Sequence, residues 1–299
     1  MPVRASVRWW FSEVSQGWIL TLTCADSVGI VAGVSGALAG VDGFILDSQQ
    51  YADLETGRFF MRLAFMKGGE RFPADEAGLN AALTPVAERF ALDWQLHRAD
   101  EKPRVLIAVS KGSHCLVDLL HRWRTGVLPI DIVGVVSNHI DLEPITRWHG
   151  VPYHHLPVTA DTRDRQERAI VDLFRAERAE LMVLARYMQV LSPTLVSELE
   201  GRCVNIHHSF LPSFKGARPY ERAHARGVKL IGATAHFVTG DLDEGPIIEQ
   251  AVERVDHRST AADLARIGRD IEAQVLARAV GWVAERRVFL NGQRTVVFR

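Results

Sequence analysis

Arg104-Val105-Leu106-Ile107-Ala108-Val109 is an almost unbroken apolar run. A strand with one wet face alternates apolar and polar residues, so a run without alternation reads as a strand buried on both sides. Ile130 to Val136 and Leu181 to Ala185 repeat the pattern, with helical periodicity between them. Buried parallel strands joined by helices make a doubly wound, mostly parallel α/β domain.

Two further runs end in chemistry. Arg202 to Ile206 stops in polar side chains at Asn205, His207 and His208, and Leu230 to Val238 stops in the turn Thr239-Gly240-Asp241. Each reads as a strand delivering functional groups at its carboxyl end, where open α/β sheets place their sites. Asn205 and His207 are two apart and share a strand face, which points His208 elsewhere. An amide can donate to a developing oxyanion, an imidazole can move a proton, and a carboxylate can orient water. Asn205, His207 and an aspartate from the segment 241–243 therefore suit acyl chemistry at a carbonyl.

Asn205-Ile206-His207-His208-Ser209-Phe210-Leu211-Pro212, followed by Leu242-Asp243-Glu244-Gly245-Pro246-Ile247, resembles the catalytic core of formyltetrahydrofolate-dependent formyl transferases. The resemblance covers residues 103–299. It implies that Asn205, His207 and Asp243 are catalytic, Asp243 standing seven residues after His236. His236 is then expected to orient water or Asp243, or to serve structurally, and Thr239, Gly240 and Asp241 to form a turn or substrate loop. The segment Ala185 to Ser192 follows a buried strand, and its apolar side chains can flank a flat heterocycle. The resemblance implies folate there, with Met188 and Val190 as walls and Gln189 and Leu191 beside them.

Ser110-Lys111-Gly112-Ser113-His114-Cys115-Leu116 lies between a strand and a helix, a position able to hold an anion, but one glycine is a weak phosphate signal. In glycinamide ribonucleotide transformylases the corresponding loop is richer in Gly, Ser and Asn and holds the acceptor's phosphate. Here Lys111, His114, Cys115, Leu116, Asp118, Leu119 and Leu120 instead resemble the pattern of formyltetrahydrofolate deformylases, as does Gly216-Ala217-Arg218-Pro219-Tyr220. Lys111, His114, Gly216 and Arg218 are accordingly candidate substrate or loop contacts. Pro219 suits a helix first turn, and Thr260-Ala261-Ala262-Asp263 reads as a cap.

Upstream, Trp18, Leu20, Leu22 and Cys24 alternate with Ile19, Thr21 and Thr23 as in a strand. Ile30, Val34, Leu38 and Val41 recur at helical spacing. Phe59, Met61, Leu63 and Phe65 return to period two, and Leu79, Leu83, Val86 and Phe90 to a helix. This order, strand-helix-strand-strand-helix-strand, is ferredoxin-like. The turn Cys24 to Val31 resembles that of ACT domains, with Asp26 or Ser27 available as a helix cap and Gly29 permitting close approach. That resemblance implies a regulatory domain over 18–97, a small amino-acid effector near Asp26, Gly29 and Ile30, and a homo-oligomer formed through it. The polar stretch from His97 to Arg104, with Pro103, reads as the linker to a catalytic domain over 103–299.

The 299 residues are 47% hydrophobic and 24% charged with a net charge of −1. That balance gives no general reason to expect nucleic acid or an anionic membrane as partner. Cys24, Cys115 and Cys203 are scattered, with no ligand spacing for zinc, and no metal or resident cofactor is expected. The first seventeen residues do not read as a signal peptide, and Val28 to Val41 is too short and glycine-rich to span a bilayer, so a cytoplasmic protein is expected.

The resemblance implies hydrolysis of 10-formyltetrahydrofolate, as substrate, to formate and tetrahydrofolate. Two other readings compete: formyl transfer to a small amine, which uses the same trio, and a non-catalytic amino-acid or folate sensor.

Overall fold

The computed structural model describes residues 17–211 and 219–299. The reading of the first residues as no signal peptide, and the candidates Gly216 and Arg218, lie outside the described residues. The chain divides into two compact units, one reaching Glu101 and including Phe298–Arg299, the other Lys102–Val297.

In the first unit β1 (Trp18–Ala25), α1 (Ile30–Gly40), β2 (Gly43–Asp53), β3 (Arg58–Lys67), α2 (Glu76–Phe90) and β4 (Asp93–Arg98) follow one another. The sheet order is β2-β3-β1-β4, with every neighbouring pair antiparallel. This is the ferredoxin-like arrangement. Leu20, Leu22, Phe59, Met61, Leu63 and Phe65 from one sheet face pack with Ile30, Val34 and Leu38 of α1 and Leu79 and Leu83 of α2. The period-two and helical spacings therefore meet in one core.

The start of α1 differs from expectation. Its cap is Gly29, at φ 100° and with no side-chain cap hydrogen bond, instead of Asp26 or Ser27. The left-handed backbone at Gly29 redirects the chain, so the helix begins at Ile30, three residues beyond Ser27 and four beyond Asp26, and neither side chain caps its first turn. Ile30 is buried in the core, which leaves only Asp26 and Gly29 of the proposed effector residues able to meet a ligand.

The second unit contains β5 (Arg104–Val109), α3 (His114–Arg124), β6 (Asp131–Ser137), α4 (Glu143–Trp148), β7 (Tyr153–His155), α5 (Arg163–Ala176), β8 (Leu181–Leu184), α6 (Pro193–Glu198) and β9 (Cys203–His207). It continues with α7 (Pro219–Ala225), β10 (Leu230–Phe237), β11 (Ile247–Arg254), α8 (Ala261–Ala284), β12 (Val288–Asn291) and β13 (Arg294–Val297). Its seven-stranded sheet has the order β11-β10-β9-β8-β5-β6-β7. The strands β5 to β9 pair in parallel, and β10 and β11 are antiparallel additions.

The apolar run of β5 is explained by what its two faces meet. Val105, Ile107 and Val109 pack with Cys115, Leu116, Leu119 and, from α8, Val275 and Leu276, whereas Leu106 and Ala108 pack with Ile170 and Phe174 of α5. Alternate residues enter opposite cores, and neither face meets water. Full burial of each such aliphatic side chain contributes about 1.5–3 kcal/mol. Thr260 and Asp263 form a reciprocal capping box at the start of α8.

Because β10 runs against β9, the two runs do not deliver their residues at a common carboxyl edge. Their chemistry converges through register: His236 pairs with Asn205, and Thr234 with His207. Among the described residues no helix is long and apolar enough to cross a membrane, and Cys24, Cys115 and Cys203 are free and buried.

Candidate active site

A cavity of about 250 Å³ opens where β8, β9 and β10 meet. Its walls include Asn205, His207, His208 and His236 from the strands and the strand end, the segment Met188–Leu191, and the loop Thr239–Asp243. Met188 and Val190 are exposed, presenting apolar surface to the opening. The residues Met188, Gln189, Val190, Leu191, His236, Thr239, Gly240 and Asp241, proposed from sequence as substrate contacts, all line this cavity together with Asn205, His207 and Asp243.

Asp243 binds the elements together. Its backbone is left-handed, at φ 59°, a conformation that aspartate tolerates better than most residues. One carboxylate oxygen lies 3.2 Å from His207 Nδ1, and the other 3.8 Å from His236 Nε2. The hydrogen bond with His207 holds the Asp243 carboxyl below its ordinary range, outweighing its partial burial. It is therefore ionised at neutral pH.

His236 is 2% exposed, and burial pushes its pKa down, which favours the neutral ring. Its Nδ1 lies 2.8 Å from the Phe237 carbonyl oxygen. A carbonyl only accepts, so the ring proton is on Nδ1 and Nε2 presents a lone pair. Asn205 Nδ2 donates to that lone pair across 3.3 Å. This fixes the amide's orientation and leaves its second N–H for a ligand. The approach of His236 to Asp243 is then a contact between a neutral ring and a carboxylate, not an ion pair.

His208 does not point away. β9 ends at His207, the two-residue period lapses there, and the His208 ring stacks on His207 with centroids 4.7 Å apart. Arg186 Nη1 donates to His208 Nδ1 at 3.0 Å. Burial, followed by the Arg186 charge, brings the His208 pKa down to about 4.

Behind this pair lies a cluster that includes the candidate His114 and whose centre, Glu272, sequence reasoning missed. Glu272 of α8 is 1% exposed, accepts from Tyr220 Oη at 2.7 Å and from His114 Nε2 at 2.8 Å, and pairs with Arg186 Nε at 3.3 Å. Burial alone would raise its pKa, but these donors together hold it below the ordinary value. The readable signal was an acid among the apolar helical positions Ile271, Val275, Leu276 and Ala279. His114, Cys115 and Glu272 are close enough to bind a cation in principle. The carboxylate's donors and a thiol pushed well up by burial describe a proton-rich ion-pair cluster instead.

Ser110 is not free to hold an anion. Its hydroxyl donates to Asn138 Oδ1 at 2.7 Å and accepts from the Met188 backbone N–H at 3.0 Å, tying the folate-candidate segment to β5 and β6. Lys111 and His114 line a second cavity.

A fold of this topology carrying an amide, an imidazole and a carboxylate on one wall defines a class, and sequence comparison agrees: the family model described as formyl transferase matches residues 103–280, and the chain belongs to that family. Within it the chain belongs to the formyltetrahydrofolate deformylases. It is 50% identical to the formyltetrahydrofolate deformylase of Corynebacterium sp. (strain P-1), covering 94% of this chain and 98% of that one. It is 48% identical to the Bacillus subtilis (strain 168) enzyme of the same name, covering 93% of each. The crystal structure of formyltetrahydrofolate deformylase from Burkholderia mallei ATCC 23344 superposes with a TM-score of 0.90 at 52% identity, covering 95% of this chain and all of that one.

Proposed function

We propose that this enzyme hydrolyses 10-formyltetrahydrofolate to formate and tetrahydrofolate. The observation that carries the reading is the ionised Asp243 held against His207, with the oriented amide of Asn205 on the same cavity wall. The folate ring system enters between Met188 and Val190, with its polar edges on the backbone of Met188–Leu191 and the loop Thr239–Asp243. The formyl oxygen takes the free N–H of Asn205 and a proton-bearing nitrogen of His207. Asp243 draws a proton from water as the water oxygen attacks the formyl carbon. When the tetrahedral intermediate collapses, the carbon–nitrogen bond breaks, a proton reaches the folate nitrogen, and formate leaves. His236 keeps Asn205 aimed and makes no bond to the reacting atoms.

The amino-terminal unit acts as an ACT-like regulatory domain, with Asp26 and Gly29 near a small amino-acid effector, and pairs with a second copy. Its edge strand β2 exposes Phe44 and Tyr51, which supports such pairing. Three buried free thiols support a cytoplasmic, reducing location. Light scattering that finds only monomer at micromolar concentration would remove the pairing.

Formate release from 10-formyltetrahydrofolate with no amine supplied tests the activity. Turnover that requires an added amine would replace hydrolysis with transfer, and no turnover under either condition would favour a sensor.

A further inference from the structure

Arg186 stands at φ 66°, a left-handed conformation that is unfavourable for a long L side chain. Such strain persists where the surroundings over-determine it. Here they do: Nε pairs with the buried carboxylate of Glu272, Nη1 donates to His208, and Ser110 pins the backbone two residues on at Met188. Glu272 is itself fixed by Tyr220 and His114. The guanidinium is therefore tethered at both ends, with His208 between it and His207.

Arg186 and Met188 also belong to the walls of both cavities. The second, of about 440 Å³, is lined by Lys111, His114, His139, Tyr220 and Arg269, among others. A water occupies roughly 30 Å³ of liquid, so this space holds far more than the nucleophile of a hydrolysis. Lys111 and Arg269 line this cavity beside the Glu272 carboxylate that Arg186 pairs with, and the two cations suit it to a small molecule bearing an anionic group. A hydrolase with such a space beside its reacting centre needs a barrier between the two.

We propose that Arg186, anchored by Glu272, is the specificity-determining residue that closes this second cavity off from the formyl group and leaves water as the only acceptor. The inference rests on the hydrolysis reading above. It works by exclusion: a blocking side chain discriminates against a bulkier acceptor without any better contact to water. With the barrier removed, the nitrogen of a small amino acid reaches the formyl carbon from the second cavity while its carboxylate meets Lys111 and Arg269. A carbon–nitrogen bond forms, the bond to the folate nitrogen breaks, the amine loses one proton and the folate nitrogen gains one. No oxidant or reductant enters.

The test compares wild type with Arg186→Gly, a residue that relieves the left-handed strain, on 10-formyltetrahydrofolate with and without glycine at mildly alkaline pH. Formate and N-formylglycine are both quantified by mass spectrometry. The expected result is a ratio of N-formylglycine to formate raised by roughly tenfold or more in the variant, within the range one steric determinant supplies. An unchanged ratio in a variant that still turns over would overturn the proposal. If Arg186→Gly does not fold, Glu272→Gln, which keeps the volume and loosens the arginine, must move the ratio the same way, and an unchanged ratio there overturns it equally. A merely structural role lowers both products together and leaves the ratio fixed. Wild type that yields N-formylglycine in place of formate would defeat the hydrolysis reading itself, whereas wild type that hydrolyses beside an unchanged variant defeats only this inference.

Discussion

Asn205 Nδ2 and His236 Nε2 face each other across the β9–β10 register, 3.3 Å apart, and the histidine's other nitrogen is tied to the Phe237 carbonyl oxygen. The neutral imidazole is thus a fixed acceptor that decides which way the amide points. Asn205→Ala removes the donor and should lower kcat on the order of a hundredfold, about 3 kcal/mol, with a much smaller change in folate affinity. Steady-state formate release together with fluorescence titration of a folate analogue separates the two. Wild-type turnover in the variant would exclude Asn205 from the mechanism.

His236→Asn bears on the same relationship from the other side. Without the ring the amide of Asn205 is no longer aimed, so kcat should fall while His207 and Asp243 stay in place. The loss should be smaller than for Asn205→Ala, since the donor survives and only its orientation is freed. A loss equal to or greater than that of Asn205→Ala would place His236 in contact with the reacting atoms.

Asp243→Asn keeps the size of the side chain and suits the left-handed backbone at this position. It removes the carboxylate that pairs with His207 and, with it, the base that the proposed mechanism uses to take a proton from water. Hydrolysis should fall by a factor on the order of 10² to 10⁴ while folate binding changes little. Equal loss of both, in a variant with an unchanged melting temperature, would argue that Asp243 holds the loop and does not act on water.

How much of this was legible depended on how local the cause was. Leu20, Leu22 and Leu63 reveal their strands because burial alternates within a few residues, and the unbroken run of β5 reveals burial on both faces. Asn205 and His207 could be put on one wall because two residues fix a strand face. The direction of β10 could not be read, since an apolar run looks the same either way along a sheet, and its antiparallel course changes how the site is assembled. His208 was misdirected because the period used to place it stops at the strand end. Arg186 and Glu272 are far apart in sequence, and neither the left-handed backbone of one nor the donors around the other leave a local signature beyond an acid on an apolar helical stripe.

Gly245 follows the loop Thr239–Asp243 where the chain returns to β11. A Cβ there would fall on the Phe237 carbonyl oxygen, well inside contact distance and against the group that accepts from His236. Gly245→Ala should destabilise the protein by about 1–3 kcal/mol, as overpacking does, and lower kcat by disturbing His236. Gly240, in the same loop, has open space around its Cβ position. Gly240→Ala should therefore leave the urea midpoint within experimental scatter, and comparable losses in both variants would refute the steric account.

The acid limb of stability carries the mark of His208. Its pKa is about 4 in the folded protein against an ordinary 6.5, first through burial and then through the Arg186 charge. Between those two values the unfolded chain binds the proton and the folded chain resists it. The stability that His208 confers as a neutral ring is therefore complete above 6.5 and is lost as pH falls toward 4, with a slope of at most about 1.4 kcal/mol per pH unit. His236, whose pKa burial also lowers, adds a slope of the same sign. Replacing His208 with Asn keeps an acceptor for Arg186 and removes the titrating ring, so the fall in urea midpoint between pH 6.5 and 4 should become shallower without vanishing. A variant that loses stability toward acid as steeply as wild type would mean that the folded protein protonates His208 as readily as the unfolded chain does.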